Sequence, residues 1–299
     1  MAAKILVTGA TGALGRLVVK NLVHRGMAVR AGVHRAERAE YVKMAGVEPV
    51  PLEFGDYASI DRDLEGVETL VLIIPNVREQ VEFTRRMVDR SRLWGISSIL
   101  KVSVYGANLV PGSQITRWHR QSELYLQDST VPFIIVRPNA LMQTFVRQVQ
   151  PANSFLYMPL GQSRVSYLDL RDLAAFCAEV VLNQQSYLGQ VLELTGPAAL
   201  TMEEVAQTIT ETVGHHIGYI DTPEETVAHF LESTGNPDWL SKALAEFYSL
   251  WRDREFDIAV ISEFERLLKR KPHTFAKFCF DYGAVLKAIV QQEHHTNIR

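Results

Sequence analysis

This chain of 299 residues predicts an α/β fold in which helices cover both faces of a parallel sheet. Two observations carry that expectation. Short β-rich runs alternate with longer amphipathic stretches through the first half of the chain. A glycine-rich turn joins the first of those runs to the first amphipathic stretch, at the very start of the chain.

The elements follow in order. Lys4 to Thr8 reads as a buried strand. Gly12 to Arg25 reads as a helix, with Leu14, Leu17, Val18, Leu22 and Val23 on one side. Further strands are expected over Met27–Val33, Val47–Leu52, Thr69–Ile74, Ser98–Val104 and Val131–Val136. Helices are expected over Arg78–Trp94 and Trp118–Gln127. The rhythm weakens in the second half. Helices read over Asp169–Leu182 and Thr201–Val213, with short strands at Val191–Leu194 and Ile217–Ile220. From Thr222 the pattern is mainly helical, broken at Pro237 and Pro272. Residues 1–150 are therefore expected to form a nucleotide-binding domain, with sheet elements returning from 163–196. Residues 151–299 form a smaller, mainly helical region for a substrate or partner.

The turn Thr8-Gly9-Ala10-Thr11-Gly12-Ala13-Leu14-Gly15 lies between a strand and a helix. Gly9 permits a tight turn, Gly12 lets backbone approach a pyrophosphate, and Gly15 lets helix pack on strand. The unpaired N–H groups and positive end of the helix then face the phosphates. This makes the fold a Rossmann-type doubly wound sheet and the ligand a dinucleotide. The second strand ends Gly32-Val33-His34-Arg35, with no acid to hold a ribose 2′-hydroxyl. Arg35 suits a 2′-phosphate instead, so NADPH is the expected cofactor. Asp56, in the turn Phe54-Gly55-Asp56-Tyr57, either accepts from the adenine amino group or shapes the turn. Cofactor contacts are expected from Gly9, Thr11, Gly12, Ala13, Leu14, Gly15, Arg35, Asp56 and Tyr57, with Pro75 and Asn76 bordering the ribose and pyrophosphate.

Composition narrows the alternatives. Hydrophobic residues make up 47%, and the formal net charge is −3, which gives no basis for a nucleic-acid surface. Cys177 and Cys279 sit among apolar neighbours and read as buried thiols in a reducing compartment. The longest apolar run, Leu70 to Pro75, is too short to span a bilayer, and Thr8-Gly9 interrupts the N-terminal run that resembles a signal peptide. A cytoplasmic location is the expectation. His215-His216 and His294-His295 lack partners at ligand spacing, so no metal site is expected. Asp169 and Asp172 read as N-terminal acids of the following helix, and Phe247 to Phe256 as a core stripe, with a pocket roof the alternative.

Several motifs resemble the NmrA-like group of atypical short-chain dehydrogenases/reductases. They are the Gly9–Gly15 turn, Phe54-Gly55-Asp56-Tyr57, Val131 to Asn139, Tyr167 to Ala174, Leu194-Thr195-Gly196-Pro197 and Lys271 to Phe278. Within that group, His119-Arg120-Gln121-Ser122-Glu123 and Asn139 are similar to NADPH-dependent quinone oxidoreductases and triphenylmethane reductases. The superfamily's Tyr-x-x-x-Lys pair is absent: the resemblance aligns its lysine with His119, and Ile115 stands four residues earlier. The resemblance thus implies hydride transfer to quinone-like or conjugated aromatic acceptors that take their proton from water. It places His119 and Asn139 at the catalytic centre, with His119 against the nicotinamide ribose. Ser103 ends the fifth strand, at the usual edge of a nicotinamide pocket, and Tyr105, two residues on, points to the same face, so Ser103 is expected beside the cofactor and Tyr105 at the catalytic centre, with core packing the alternative for both. It equally allows a non-catalytic NADP(H) sensor that regulates a protein partner, or an assembly factor. The sequence leaves open whether the protein is an enzyme and what its oligomeric state is.

Overall fold

The computed structural model describes residues 4–148, 154–252 and 262–291. Its first half is strand and helix in turn: β1 (Ile5–Val7), α1 (Ala13–His24), β2 (Val29–Val33), β3 (Val47–Pro51), α2 (Tyr57–Leu64), β4 (Thr69–Leu72), α3 (Gln80–Leu93), β5 (Ser98–Val102), α4 (Gln114–Asp128) and β6 (Phe133–Pro138). The second half runs α5 (Phe145–Gln148), β7 (Phe155–Met158), α6 (Leu170–Leu182), β8 (Val191–Leu194), α7 (Met202–Val213) and β9 (Gly218–Asp221). It closes with α8 (Glu224–Ser233), α9 (Asp238–Ser249), α10 (Ser262–Leu268), α11 (Phe275–Asp281) and α12 (Gly283–Gln291).

Seven strands form one parallel sheet in the order β3-β2-β1-β4-β5-β6-β8. The order reverses between β1 and β4, which opens a crevice at their carboxyl ends. Alternation along each strand feeds two cores. Ile5 and Val7 of β1 join the core under α1 and α6, while Leu6 joins the core under α2, α3 and α4. A third core gathers Met142, Phe145, Leu156, Ile209, Trp251 and Phe278 beneath the C-terminal helices. The strand β7 pairs in parallel with β9 in a separate small sheet beside it.

Most expected elements stand within a few residues of their expected limits. The helix α4 starts four residues before the expected Trp118, because Ser113 caps it by accepting from Thr116 N at 3.3 Å. The helix α2 was not expected. Asp56 Oδ1 caps it by accepting from Ala58 N at 2.9 Å, and Ile60 and Leu64 supply its buried face. The four-residue strand β7 was also not expected. No helix among the described residues is long and apolar enough to cross a membrane.

Candidate functional site

The glycine turn lies at the reversal between β1 and β4. Gly9 has φ +58°, and a Cβ there would stand 2.9 Å from Ile73 O. A Cβ on Gly15 would come within 2.3 Å of Gly9 O, so close helix–turn packing requires that glycine. Gly12 differs: it is exposed, and an added Cβ would meet only Gly9 O, at 3.2 Å. No side chain caps α1, and no acid stands in its first turn. The helix therefore presents its positive end to open space, a cradle that fits a pyrophosphate. Thr8 Oγ1 fixes the neighbouring strand end, donating to Ile73 O at 2.8 Å and accepting from Ile73 N at 2.8 Å.

Around this turn the expected cofactor residues separate. Arg35 is exposed at the end of β2, and no carboxylate among the described residues pairs with it. Arg30 is committed elsewhere, donating to the carbonyls of Asp63 at 2.8 Å and Glu65 at 2.9 Å. Asp56 serves as the cap of α2. The Tyr57 ring lies under the guanidinium groups of Arg86 at 5.2 Å and Arg90 at 5.8 Å. Pro75 is exposed, and Asn76 lines the cavity described next.

A cavity of about 310 Å³ opens from the turn toward the C-terminal helices. Leu14, Ile73 and Asn76 line its turn end, and Ser103, His119 and Asn139 stand on its sheet side. Much of the rest of its lining is aromatic: Phe145, Tyr167, Phe247, Tyr248 and Trp251. Phe247, Tyr248 and Trp251 thus serve as a pocket wall as well as packing on the third core, which corrects the expectation of a core stripe alone. Residues 253–256 of that segment, and His294-His295, lie outside the described residues. Val104 lines the cavity, and Tyr105 does not. The backbone ladder to β6 runs on past Val102, with Ser103 N donating to Val136 O at 2.7 Å and Tyr105 N to Pro138 O at 2.8 Å, while the Tyr105 side chain packs on the third core.

Beneath the cavity lies a buried polar layer. Lys101 of β5 and Ser103 just beyond it, Arg137 of β6, and His119 and Glu123 of α4 are all at most 6% exposed. Strand alternation and the i, i+4 spacing on α4 bring them to one interface. Arg137 grips Glu123 with two bonds, Nε to Oε1 at 2.9 Å and Nη2 to Oε2 at 2.7 Å. Ser103 Oγ donates to Glu123 Oε1 at 2.6 Å and stands 3.4 Å from His119 Nδ1. Burial, and then the nearby Lys101, push the His119 pKa well below its usual value, so the ring is neutral. The serine's single hydrogen is committed to the carboxylate. The contact with His119 is then filled by Nδ1–H, which leaves Nε2 an acceptor.

Asp169 caps α6 as expected, accepting from Arg171 N at 2.8 Å. Asp172, in the first turn, accepts from Arg270 Nη2 at 2.7 Å and from His273 N at 2.6 Å, so it ties down the C-terminal segment. No cluster of His, Cys, Asp or Glu among the described residues could hold a metal.

A model described as the NmrA-like family matches residues 1–279. The chain belongs to the NmrA-like family. It is 27% identical to an NAD(P)H azoreductase of Xenophilus azovorans over 286 residues, covering 95% of this chain and 99% of that one. It is 27% identical to quinone oxidoreductase 2 of Escherichia coli over 247 residues, covering 81% and 86% of the two chains. The crystal structure of that E. coli quinone oxidoreductase with NADPH superposes with a TM-score of 0.82 at 25% identity, covering 92% of this chain and 98% of that one.

Sequence reading gave no roles to Lys101, Arg137 or Gln148 in this NmrA-like protein, and took Glu123 only as part of a motif. The signal was present for Glu123. Ile115, His119, Glu123 and Leu126 share one face of α4, and a histidine and a glutamate on an otherwise apolar stripe require buried partners. Lys101 has a testable consequence. Burial lowers its pKa from a lysine's usual 10.5 to about 8, with Glu123 opposing the drop. A lysine depressed in this way is fully protonated in both folded and unfolded chains below pH 8, where the buried charge carries its whole penalty. Between about 8 and 10.5 only the unfolded chain holds the proton, so stability from this group rises with pH. Lys101→Met should therefore stabilise the protein near neutral pH by on the order of 1–3 kcal/mol, with the gain shrinking toward pH 10. Urea melts at the two pH values check this, and a gain that does not shrink would contradict it.

Proposed function

We propose that the protein is an NADPH-dependent reductase whose acceptors are quinone-like or azo-type conjugated aromatics. The observation that carries the reading is one continuous cavity. Its turn end meets the phosphate cradle, its floor carries His119 and Asn139, and much of the rest of its lining is aromatic. Such a lining suits flat conjugated rings. The first-turn N–H groups of α1 hold the pyrophosphate, Arg35 clamps the 2′-phosphate, and Asn76 and Ser103 border the nicotinamide side. When bound, NADPH supplies a hydride. The protein's part is to bind, orient and exclude water.

No proton donor stands at the superfamily's tyrosine position. Ile115 stands where the superfamily's tyrosine would, and His119, which lines the cavity, is neutral. Tyr105 is not among the residues that line the cavity, and burial followed by Glu193 raises its phenol pKa, which keeps the hydroxyl protonated. Acceptors that take their proton from water, as reduced quinones do, fit a site of this kind.

Steady NADPH oxidation with a panel of quinones and azo dyes tests the reading. NADP(H) binding without turnover on any acceptor, together with a co-purifying protein, would turn it toward a sensor. The cofactor assignment has its own check. Arg35→Ala should weaken NADPH binding on the order of tenfold or more while leaving NADH unaffected, as loss of one charge-assisted contact would. Fluorescence titration of both cofactors reads the difference, and equal parent affinities would remove the 2′-phosphate role.

A further inference from the structure

Three of the aromatic side chains that line the cavity come from the end of α9: Phe247, Tyr248 and, just past the helix, Trp251. One buried side chain ties that end to the large sheet. Asn139 stands just past β6, and its backbone N donates to Leu194 O of β8 at 2.8 Å. The residue is 3% exposed. Asn139 Oδ1 accepts from Trp251 Nε1 at 3.1 Å and from Ala140 N at 2.8 Å. Both of those groups can only donate, which fixes the amide orientation and engages both lone pairs of the oxygen. The amide nitrogen is buried. Asn139 therefore has no polar side-chain atom to offer a substrate: its oxygen is in use and its nitrogen is covered.

Trp251 is 3% exposed, and its ring meets Phe247 edge-on at 4.9 Å between centroids. A buried indole N–H needs a partner. Asn139 supplies one, so the bond sets where the indole stands and, through the ring contact, where Phe247 stands. The next residue, Arg252, is tied on the exposed side to Asp221 of β9 by two bonds of 2.7 Å. The end of α9 is thus held to the small sheet at the surface and to the large sheet inside the cavity. We infer that Asn139 is a positioning residue that acts through Trp251: it fixes the indole, and with it Phe247, as the wall against which a flat acceptor packs, and it makes no hydrogen bond to the acceptor or the nicotinamide. This rests on the reading that the cavity holds an aromatic acceptor, and it replaces the catalytic role that the resemblance implies for Asn139. Without Oδ1 the indole N–H stays buried and unpaired, a state the ring escapes by turning. The aromatic surface offered to the acceptor then changes, while the phosphate cradle at the other end of the cavity is untouched.

The test measures binding of 4-aminoazobenzene to the full chain saturated with NADP+, where no reduction occurs, by equilibrium dialysis read from the dye's absorbance. Asn139→Leu should weaken dye binding on the order of tenfold, the scale of one buried hydrogen bond, and leave NADP+ affinity within about twofold of the parent. Trp251→Phe removes the same bond from the other side, keeps a ring, and should weaken the dye to a similar extent. The two changes combined should cost no more than either alone, because the same bond is lost in all three proteins. Asn139→Asp keeps an oxygen acceptor and loses the amide N–H groups, so it should bind the dye within about threefold of the parent. Losses that multiply to about a hundredfold in the double variant overturn the inference, since Asn139 would then act on the ligand directly. So does an Asp variant as weak as Leu, or a parallel loss of NADP+ affinity. Parent-like dye binding by Trp251→Phe also overturns it, and that arm stands even where Asn139→Leu fails to fold. NADPH oxidation with the same dye is read separately. Turnover with multiplying losses leaves the reductase reading standing and sinks this inference. Coupled losses without turnover on any acceptor do the reverse, and a parent that binds no dye sinks both.

Discussion

Gly12→Val should fold like the parent and lose NADPH binding by roughly a hundredfold or more. Gly12 precedes α1 with φ −75° and ψ 169°, an extended conformation open to valine. The only atom a Cβ would crowd is Gly9 O at 3.2 Å, a contact that a small local adjustment relieves. The branched methyl groups would then occupy the space above the exposed helix end, where the pyrophosphate is proposed to bind. Loss of two charge-assisted bonds from that helix end would cost about 3–6 kcal/mol, which is the source of the expected fold-change. Gly15→Ala makes the informative contrast. Its Cβ would lie 2.3 Å from Gly9 O and 2.7 Å from Ala10 Cα, so it should damage the turn and lower the melting temperature. Calorimetry with NADPH, paired with thermal melts, separates the two outcomes. Parent-like binding by a folded Gly12→Val protein would mean that the phosphates bind elsewhere.

That contrast shows where sequence was informative and where it was not. Local spacing carries the turn: three glycines between one apolar run and one helix need no distant partner to be recognised. The succession of short apolar runs and amphipathic stretches carries the sheet for the same reason. The short helix α2 was hidden because Asp56 is compatible equally with a cap and with a bare turn. The strand β7 was hidden because four residues give too little periodicity, and its partner β9 lies some sixty residues away in the chain. The site's polar layer was harder still. Glu123 meets Arg137 across 14 residues, and Trp251 meets Asn139 across 112. Only the folded chain shows which atoms those contacts use. Tyr105 marks the limit of extrapolation. Alternation predicted it to share the pocket face with Ser103; its backbone keeps the ladder to Pro138 O, yet its side chain packs on the third core rather than along the cavity.

His119→Ala should lower turnover by on the order of a hundredfold, the scale that a misplacement of about 1 Å produces in a hydride transfer. The argument begins at Arg137, whose guanidinium fixes the Glu123 carboxylate. Glu123 takes the Ser103 hydrogen at 2.6 Å, and Ser103 in turn accepts from His119 Nδ1–H, which leaves Nε2 as the acceptor of a ring that lines the cavity. A group of that kind can orient a ribose hydroxyl; it has no proton to give. His119→Gln keeps a carbonyl acceptor at similar reach and should recover part of the lost rate. The pH profile gives an independent check. Burial and Lys101 hold the ring neutral in the folded protein, with a pKa well below the usual 6.5. The rate of hydride transfer should therefore show no fall as pH rises through about 6.5. A general-acid histidine would show that fall, and Gln and Ala would be equally inactive. Pre-steady-state transfer to a quinone, followed for the parent and both variants across pH, distinguishes the two roles. A falling limb near 6.5 with no rescue by Gln would contradict the orienting role and with it the hydrogen-bond direction from Glu123 through Ser103.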